Sequence, residues 1–158
     1  PCGYFNDPVR QCTCSEAQLQ RYRNKISGPL LDRFDIQLEV VPVSFQDLHQ
    51  DKEEESSAAV RERVIKARNI QSVRFQDSAT IHNGGMTSSE IQRFCQLDEK
   101  SKAFLEQAFQ RLGLSARAHS RILKVARTIA DLAGSESIQL AHLAEAIQYR
   151  TLDKKLWK

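Results

Sequence analysis

Long apolar runs are missing from this sequence, and with them any candidate for a membrane-spanning helix, which needs about twenty consecutive, mostly apolar residues. A Gly-Lys-Ser/Thr phosphate loop is also missing, so a self-contained nucleotide hydrolase is not expected. The four histidines, His49, His82, His119 and His142, are scattered, with no Asp or Ser at catalytic spacing. Residues 1–15 lack the basic and apolar regions of a secretory signal, and four unevenly spaced cysteines do not make a disulfide framework, so the cytoplasm is the expected compartment. The chain opens at Pro1 without an initiator Met, which reads as a piece of a longer product.

What is present describes a soluble, helix-rich globule. The 158 residues are 41% hydrophobic and 27% charged, with only 7% aromatic, enough for one medium domain or a small helical domain plus part of another. A formal net charge of +3 permits an anionic partner such as DNA or nucleotide without demanding one.

Along the chain, the turn-rich opening PCGYFNDPVRQCTC predicts a loop, and Ser15 with Gln18 predicts a helix start, with a short helix from about Ser15 to Lys25. Ser27 and Pro29 favour another turn of helix ending near Asp32 and Arg33. Ile36, Leu38 and Val40 alternate with Asp35, Gln37 and Glu39, the period expected of one strand with a wet face. The acidic, polar run that follows Pro42 reads as a linker with a short helical turn around Phe45 to His49. From Ser57 the pattern turns helical, breaks at Asn83-Gly84-Gly85, and resumes over roughly 88–96, 98–112, 115–133 and 139–149, which predicts a compact bundle.

Three constellations carry chemical content. On the helix that Ser115 opens, Ile122, Val125, Ala126, Ile129 and Ala133 make an apolar stripe while Arg117, Arg121 and Lys124 share the opposite face. That face is either a solvated surface or an anion-binding ridge. Arg117 lies in the first turn, where the helix dipole repels a cation, so an outside partner is wanted there. In SGPLLDRFD, two leucines fix a short helix and Arg33 sits where it ends, either aimed outward or paired with Asp32 or Asp35. Cys2, Cys12 and Cys14 crowd one loop, either as reduced thiols or as part of a Zn²⁺ site that wants four ligands. Cys95, on a helical segment after Phe94, reads as a packing residue.

PCGYFNDP, CTCS, QRYRNKISGPLLDRFD, LSARAHSRILKVARTIADLAGSESI and HLAEAIQYR together resemble the ComM/YifB family of magnesium-chelatase-like AAA+ ATPases over nearly the whole chain. The resemblance implies a mainly α fold: the end of an AAA+ α/β core with one strand and short helices over residues 1–42, a linker over 43–57, and an all-α helical lid over 58–158. It implies that Arg33 is the arginine finger acting in trans on the neighbouring subunit's γ-phosphate. Arg117, with Arg121 beside it, would be the sensor 2 arginine of the lid, reading nucleotide in its own subunit. It further implies ATP and Mg²⁺ as cofactors of the intact protein, with the phosphate loop upstream, an asparagine of sensor 1 just before Pro1, and another cysteine there to complete a possible Zn²⁺ set. It implies a ring of like subunits, a hexamer, that acts on DNA by branch migration during recombination or natural transformation. No membrane partner is expected. The rival reading is a free-standing helical module that binds DNA through Arg61, Arg68, Arg117, Arg121 and Lys124, with the cysteine loop as a metal clip.

Overall fold

The protein is described here by a computed structural model covering residues 1–7, 9–40, 43 and 54–150. Seven α-helices are formed among these residues: α1 Glu16–Arg23, α2 Gly28–Leu31, α3 Ser57–Arg74, α4 Ser88–Phe94, α5 Glu99–Leu112, α6 Ala116–Leu132 and α7 Leu140–Gln148, with a 3₁₀ turn at Asn83–Gly85. The protein is mainly α, as the sequence leads one to expect.

Local chemistry starts these helices where the sequence marks them. The Ser15, Ser56, Thr87, Asp98 and Ser115 side chains each accept a hydrogen bond from a backbone N–H in the first turn, satisfying donors that the helix itself leaves unpaired. Gly113 ends α5 in the left-handed conformation, φ +58°, where a side chain would be strained.

Helix α6 is the axis of the bundle, packing against α3, α4, α7 and the 3₁₀ turn, while α5 packs on α7. Its alanines explain the close approach: Ala118, Ala126 and Ala130 are fully buried and let neighbours lie against the α6 backbone. Ile122, Leu123, Leu143, Ala146 and Ile147 close the core with Phe75, Met86, Ile91 and Leu105. Each large side chain so buried contributes roughly 1.5–3 kcal/mol from transfer out of water. Cys95 is in this core, as expected of a packing residue, and burial pushes its thiol up to about 11.

The expected strand over Ile36 to Val40 is not formed. Residues 35–40 have no regular secondary structure, and no strand occurs among the described residues. Alternation gives a segment its two faces, but a ladder needs a second strand. The backbone N–H of Gln37 instead donates to the Tyr149 carbonyl just beyond α7, at 2.9 Å, while Leu38 and Val40 stay exposed. The helical turn expected around Phe45 to His49 lies outside the described residues.

Two parts of the chain distant in sequence are joined behind α2. The fully buried side chain of Arg150 donates to the Phe34 carbonyl and pairs with Asp32 at 3.4 Å. Arg121 of α6 pairs with Asp35. The segment carrying Arg33 is therefore fastened to the helical bundle on both sides of that residue.

Candidate functional site

Arg33, Gly84, Ala116, Arg117, Ser120, Arg121 and Lys124 line one open cleft of about 570 Å³. Spacing builds most of it: positions 117, 121 and 124 fall on a single face of α6, and Ala116 to Ser120 form the first turns of that helix. Arg33 comes from the other side, held at the end of α2 by the buried Leu31. The sequence-predicted cations of the two constellations thus meet across about eighty residues of chain.

Pairing within the site decides which cations remain available. Asp32 is engaged by Arg150 and Asp35 by Arg121, so the two acids that flank Arg33 are both taken by other arginines. Arg33 itself is exposed and donates to the Pro29 carbonyl of its own helix at 3.3 Å, with no carboxylate partner among the described residues. Arg117 is likewise exposed, at the second position of α6. Lys124 donates to the Gly84 carbonyl at 3.0 Å, which ties the cleft's lower wall to α6. Cations converging at a helix N-terminus suit an anion, because side-chain charge, the helix dipole and unpaired N–H groups act in the same direction. The cleft is of the size that small-molecule ligands occupy, and its lining contains no carboxylate. Those residues suit phosphate oxygens and would contribute no ligand to Mg²⁺.

Behind this wall lies a polar network whose pairing was not anticipated from the sequence. Asp131, whose side chain is wholly buried, accepts from Arg74 at 2.5 and 2.6 Å, from Asn83 at 2.7 Å and from Arg127 at 3.1 Å. Asn83 also donates to Thr128 at 3.1 Å. The residue before Gly84 is therefore pinned from three directions. The i, i+4 spacing of Arg127 and Asp131 is visible in the sequence, but nothing local marks Arg74 and Asn83 as their partners. Arg150 was equally unmarked as a tie between the halves.

The cysteines form a second, separate cluster. The sulfurs of Cys2, Cys12 and Cys14 all lie within 4.8 Å of one another. The Tyr4 N–H donates to the Cys2 sulfur at 3.4 Å and, with the Thr13 N–H, draws the Cys2 thiol down to about 6.

Of the other basic residues, Arg68 lines a different cleft with Val64, Ala67, Gln71, His82 and Asn83 on the far side of Gly84, and Arg61 lies on the exposed part of α3. They do not share the cavity of Arg117 and Arg121.

A helical bundle bearing a cationic, anion-suited cleft at a helix N-terminus is the class defined by these features. The chain belongs to the magnesium chelatase family: residues 54–150 match the family described as "Magnesium chelatase, subunit ChlI C-terminal", and residues 1–48 match "Magnesium chelatase, subunit ChlI". It is 48% identical over 159 aligned residues to the Haemophilus influenzae "Competence protein ComM", covering all of this chain and 30% of that protein. It is 42% identical over 157 residues to the Escherichia coli "Uncharacterized protein YifB" and 41% over 158 residues to its Salmonella typhimurium namesake, covering 99% of this chain and 30% of each relative. The resemblance to ComM/YifB proteins therefore holds over the full chain, which spans about a third of the length of these relatives. No helix among the described residues is long and apolar enough to cross a membrane.

Proposed function

We propose that this chain is the end of an AAA+ ATPase core together with its helical lid, and that the cleft receives the polyphosphate of an ATP molecule bound mainly by another subunit of a ring. The observation that carries this reading is the convergence of Arg33 and Arg117 on one cavity while the acids beside Arg33 are occupied by Arg121 and Arg150. Arg33 is the arginine finger: a guanidinium stays charged, makes bidentate contacts to phosphate oxygens, and neutralises charge as the γ-phosphoryl group transfers. Arg117 is the sensor 2 arginine. Placement in one cavity favours both acting on the same triphosphate, rather than Arg117 reading nucleotide in its own subunit while Arg33 serves the next. Arg121, tethered by Asp35, and Lys124, tethered by Gly84, shape the cavity and add positive potential.

When bound with ATP, Mg²⁺ would neutralise phosphate charge and orient the leaving group; this chain's own part is to position the phosphate tail and exclude competing geometries. Residues 1–42 are read as core and residues 58–158 as lid, joined by 43–57. Because the lid and the Arg33 segment are fastened together, a change in nucleotide state would turn them as one body against the neighbouring subunit and move a substrate through the ring. For the intact, cytoplasmic protein we take that ring to be a hexamer and the substrate to be DNA, remodelled by branch migration, in keeping with a relative named as a competence protein. A free-standing DNA-binding module is the weaker reading, since Arg61 and Arg68 stand apart from the cleft that holds Arg117, Arg121 and Lys124.

Replacing Arg33 with Ala in the full-length protein is expected to lower ATPase turnover by about 10³-fold or more with nucleotide binding largely kept. Rings mixed from Arg33→Ala and Arg117→Ala subunits discriminate the two arrangements. If both arginines serve one neighbouring site, a ring alternating the variants retains intact cationic pairs nowhere and stays inactive. Unchanged turnover in Arg33→Ala would remove the finger assignment.

A further inference from the structure

We propose that Cys2, Cys12 and Cys14 supply three thiolates to a Zn²⁺ site that clips the N-terminal loop onto α1, with the fourth ligand supplied by another group. This goes beyond the nucleotide reading and is independent of it, since the cluster shares no residue with the cationic cleft.

The geometry carries the assignment. Tetrahedral Zn²⁺ holds thiolates at about 2.3 Å, which sets the sulfurs of any two ligands about 3.8 Å apart. The Cys2 and Cys12 sulfurs lie 3.6 Å apart, near that edge length, and all three fall within 4.8 Å of one another. They are free thiols rather than a disulfide, and a pair at 3.6 Å is well beyond the roughly 2.05 Å of a sulfur–sulfur bond. Three sulfurs converge here although Cys2 and Cys12 come from opposite ends of a loop. The left-handed backbone at Gly3 and Asn6, φ +88° and +59°, is what folds the loop back on itself.

The surroundings are those of a metal–thiolate loop. Backbone N–H groups point at sulfur: that of Cys2 donates to Cys14 at 3.0 Å and that of Tyr4 to Cys2 at 3.4 Å. Such donors spread the negative charge of bound thiolates and fix their orientation. Three thiolates around one divalent ion leave a net charge of −1, and the adjoining cavity of about 460 Å³ is lined by Arg21 and Lys25 together with Gln18, Thr13 and Tyr22. These cations offset that charge. Soft sulfur ligands favour Zn²⁺ over oxygen-seeking Mg²⁺ or Ca²⁺. Cys14 directly precedes Ser15, the N-cap of α1, so a bound ion would anchor the start of that helix beside the Arg23–Phe5 stacking contact at 4.5 Å.

The test uses the full-length protein that carries these residues, purified under reducing conditions with Zn²⁺ alone as the ligand. One tightly held Zn²⁺ per chain is expected after dialysis. Loading with Co²⁺ instead should give thiolate-to-metal charge-transfer bands and intense visible bands of a tetrahedral ion. Cys12→Ser and Cys14→Ser should each lose stoichiometric metal while circular dichroism shows the helices of the bundle intact, and Cys95→Ser should keep it. Absence of stoichiometric metal and of the cobalt bands overturns the site. Metal retained equally by both serine variants, or a Cys2–Cys12 disulfide that persists in reductant without metal uptake, overturns it as well.

Discussion

At the scale of the residue, this molecule turns on which partner each arginine finds. Arg121, Arg127 and Arg150 have their charges met inside the chain, and Arg33 and Arg117 face the cleft without a carboxylate partner among the described residues. Arg74 and Arg127 converge on a single acid, Asp131, with side-chain exposures of 12% and 3%. Replacing one member of such a buried set is costly because it strands the others. Asp131→Asn keeps the shape but removes the only negative charge of the set. About 3–5 kcal/mol of lost stability is expected, the scale reported for breaking buried ion pairs, and a large share of the 5–15 kcal/mol typical of a folded domain. Chemical denaturation of wild-type and variant chains measures it directly. A change below about 1 kcal/mol, the level of an exposed pair, would mean the network is far more solvated than its geometry indicates. Asn83 and Gly84 should loosen in the same variant, since Asn83 is held by Asp131 and the Gly84 carbonyl receives Lys124.

At the scale of the element, the helix boundaries were the most legible part of the sequence. Thr87 and Glu90 are a worked instance: the Thr87 side chain accepts from the Glu90 N–H at 3.3 Å, and Glu90 reaches back to the Thr87 N–H at 2.8 Å. Ser78 adds a hydroxyl donor to the same carboxylate at 2.6 Å and Thr80 another at 2.9 Å. The Ser78 hydroxyl first, then the Thr87 N–H, hold the Glu90 carboxyl at about 2, below its usual 4.5. A carboxyl whose folded-state pKa is depressed stabilises the fold fully above the unfolded value, and that contribution is lost as pH falls from about 4.5 toward about 2. Glu90→Gln should therefore lower stability at neutral pH and show a shallower loss than wild type across that acidic window. Melting curves at pH 7, 4 and 3 compare them; parallel losses in the two proteins would show that other carboxylates account for the acid sensitivity. Capping signals are readable because both partners lie within four residues. The strand expected at Ile36 to Val40 was misread for the complementary reason: its alternation is local, but a ladder depends on a partner that local pattern cannot supply. Instead, the segment's backbone is met by Tyr149. The cleft was half legible in the same sense. The i, i+4, i+7 cations of α6 are a local pattern, while the approach of Arg33 to them is set by Arg150, 117 positions further along the chain and bearing no sequence mark of that role.

At the scale of the whole molecule, the central relation is how the Arg33 segment and the helical bundle are made to move together. Ties that cross between them among the described residues run from Arg150 to Phe34 and Asp32, from Arg121 to Asp35, and from the Gln37 N–H to the Tyr149 carbonyl. Two of these start from Tyr149 and Arg150, just beyond α7. Truncating Arg150 to Ala removes charge-assisted bonds from a side chain with no exposed surface and leaves Asp32 and the Phe34 carbonyl without that partner. Loss of one such bond costs about 2 kcal/mol, which is roughly thirtyfold in the equilibrium for local opening. Amide hydrogen exchange should accordingly quicken at residues 32–37 by about that factor, while amides of α6 around Ile122 to Ala130 keep their protection, because the core they belong to is untouched. In the full-length protein, Arg150→Ala should then lower ATPase turnover without altering the charge of the cleft, and Arg150→Lys, which restores charge but not the planar fork, should recover only part of it. Arg33→Ala should leave exchange at residues 32–37 near the wild-type level while abolishing turnover, which separates loss of the phosphate contact from loss of its mounting. If exchange at residues 32–37 is unaffected by Arg150→Ala, the segment is held by something other than these ties, and the rigid coupling of finger to lid loses its structural basis.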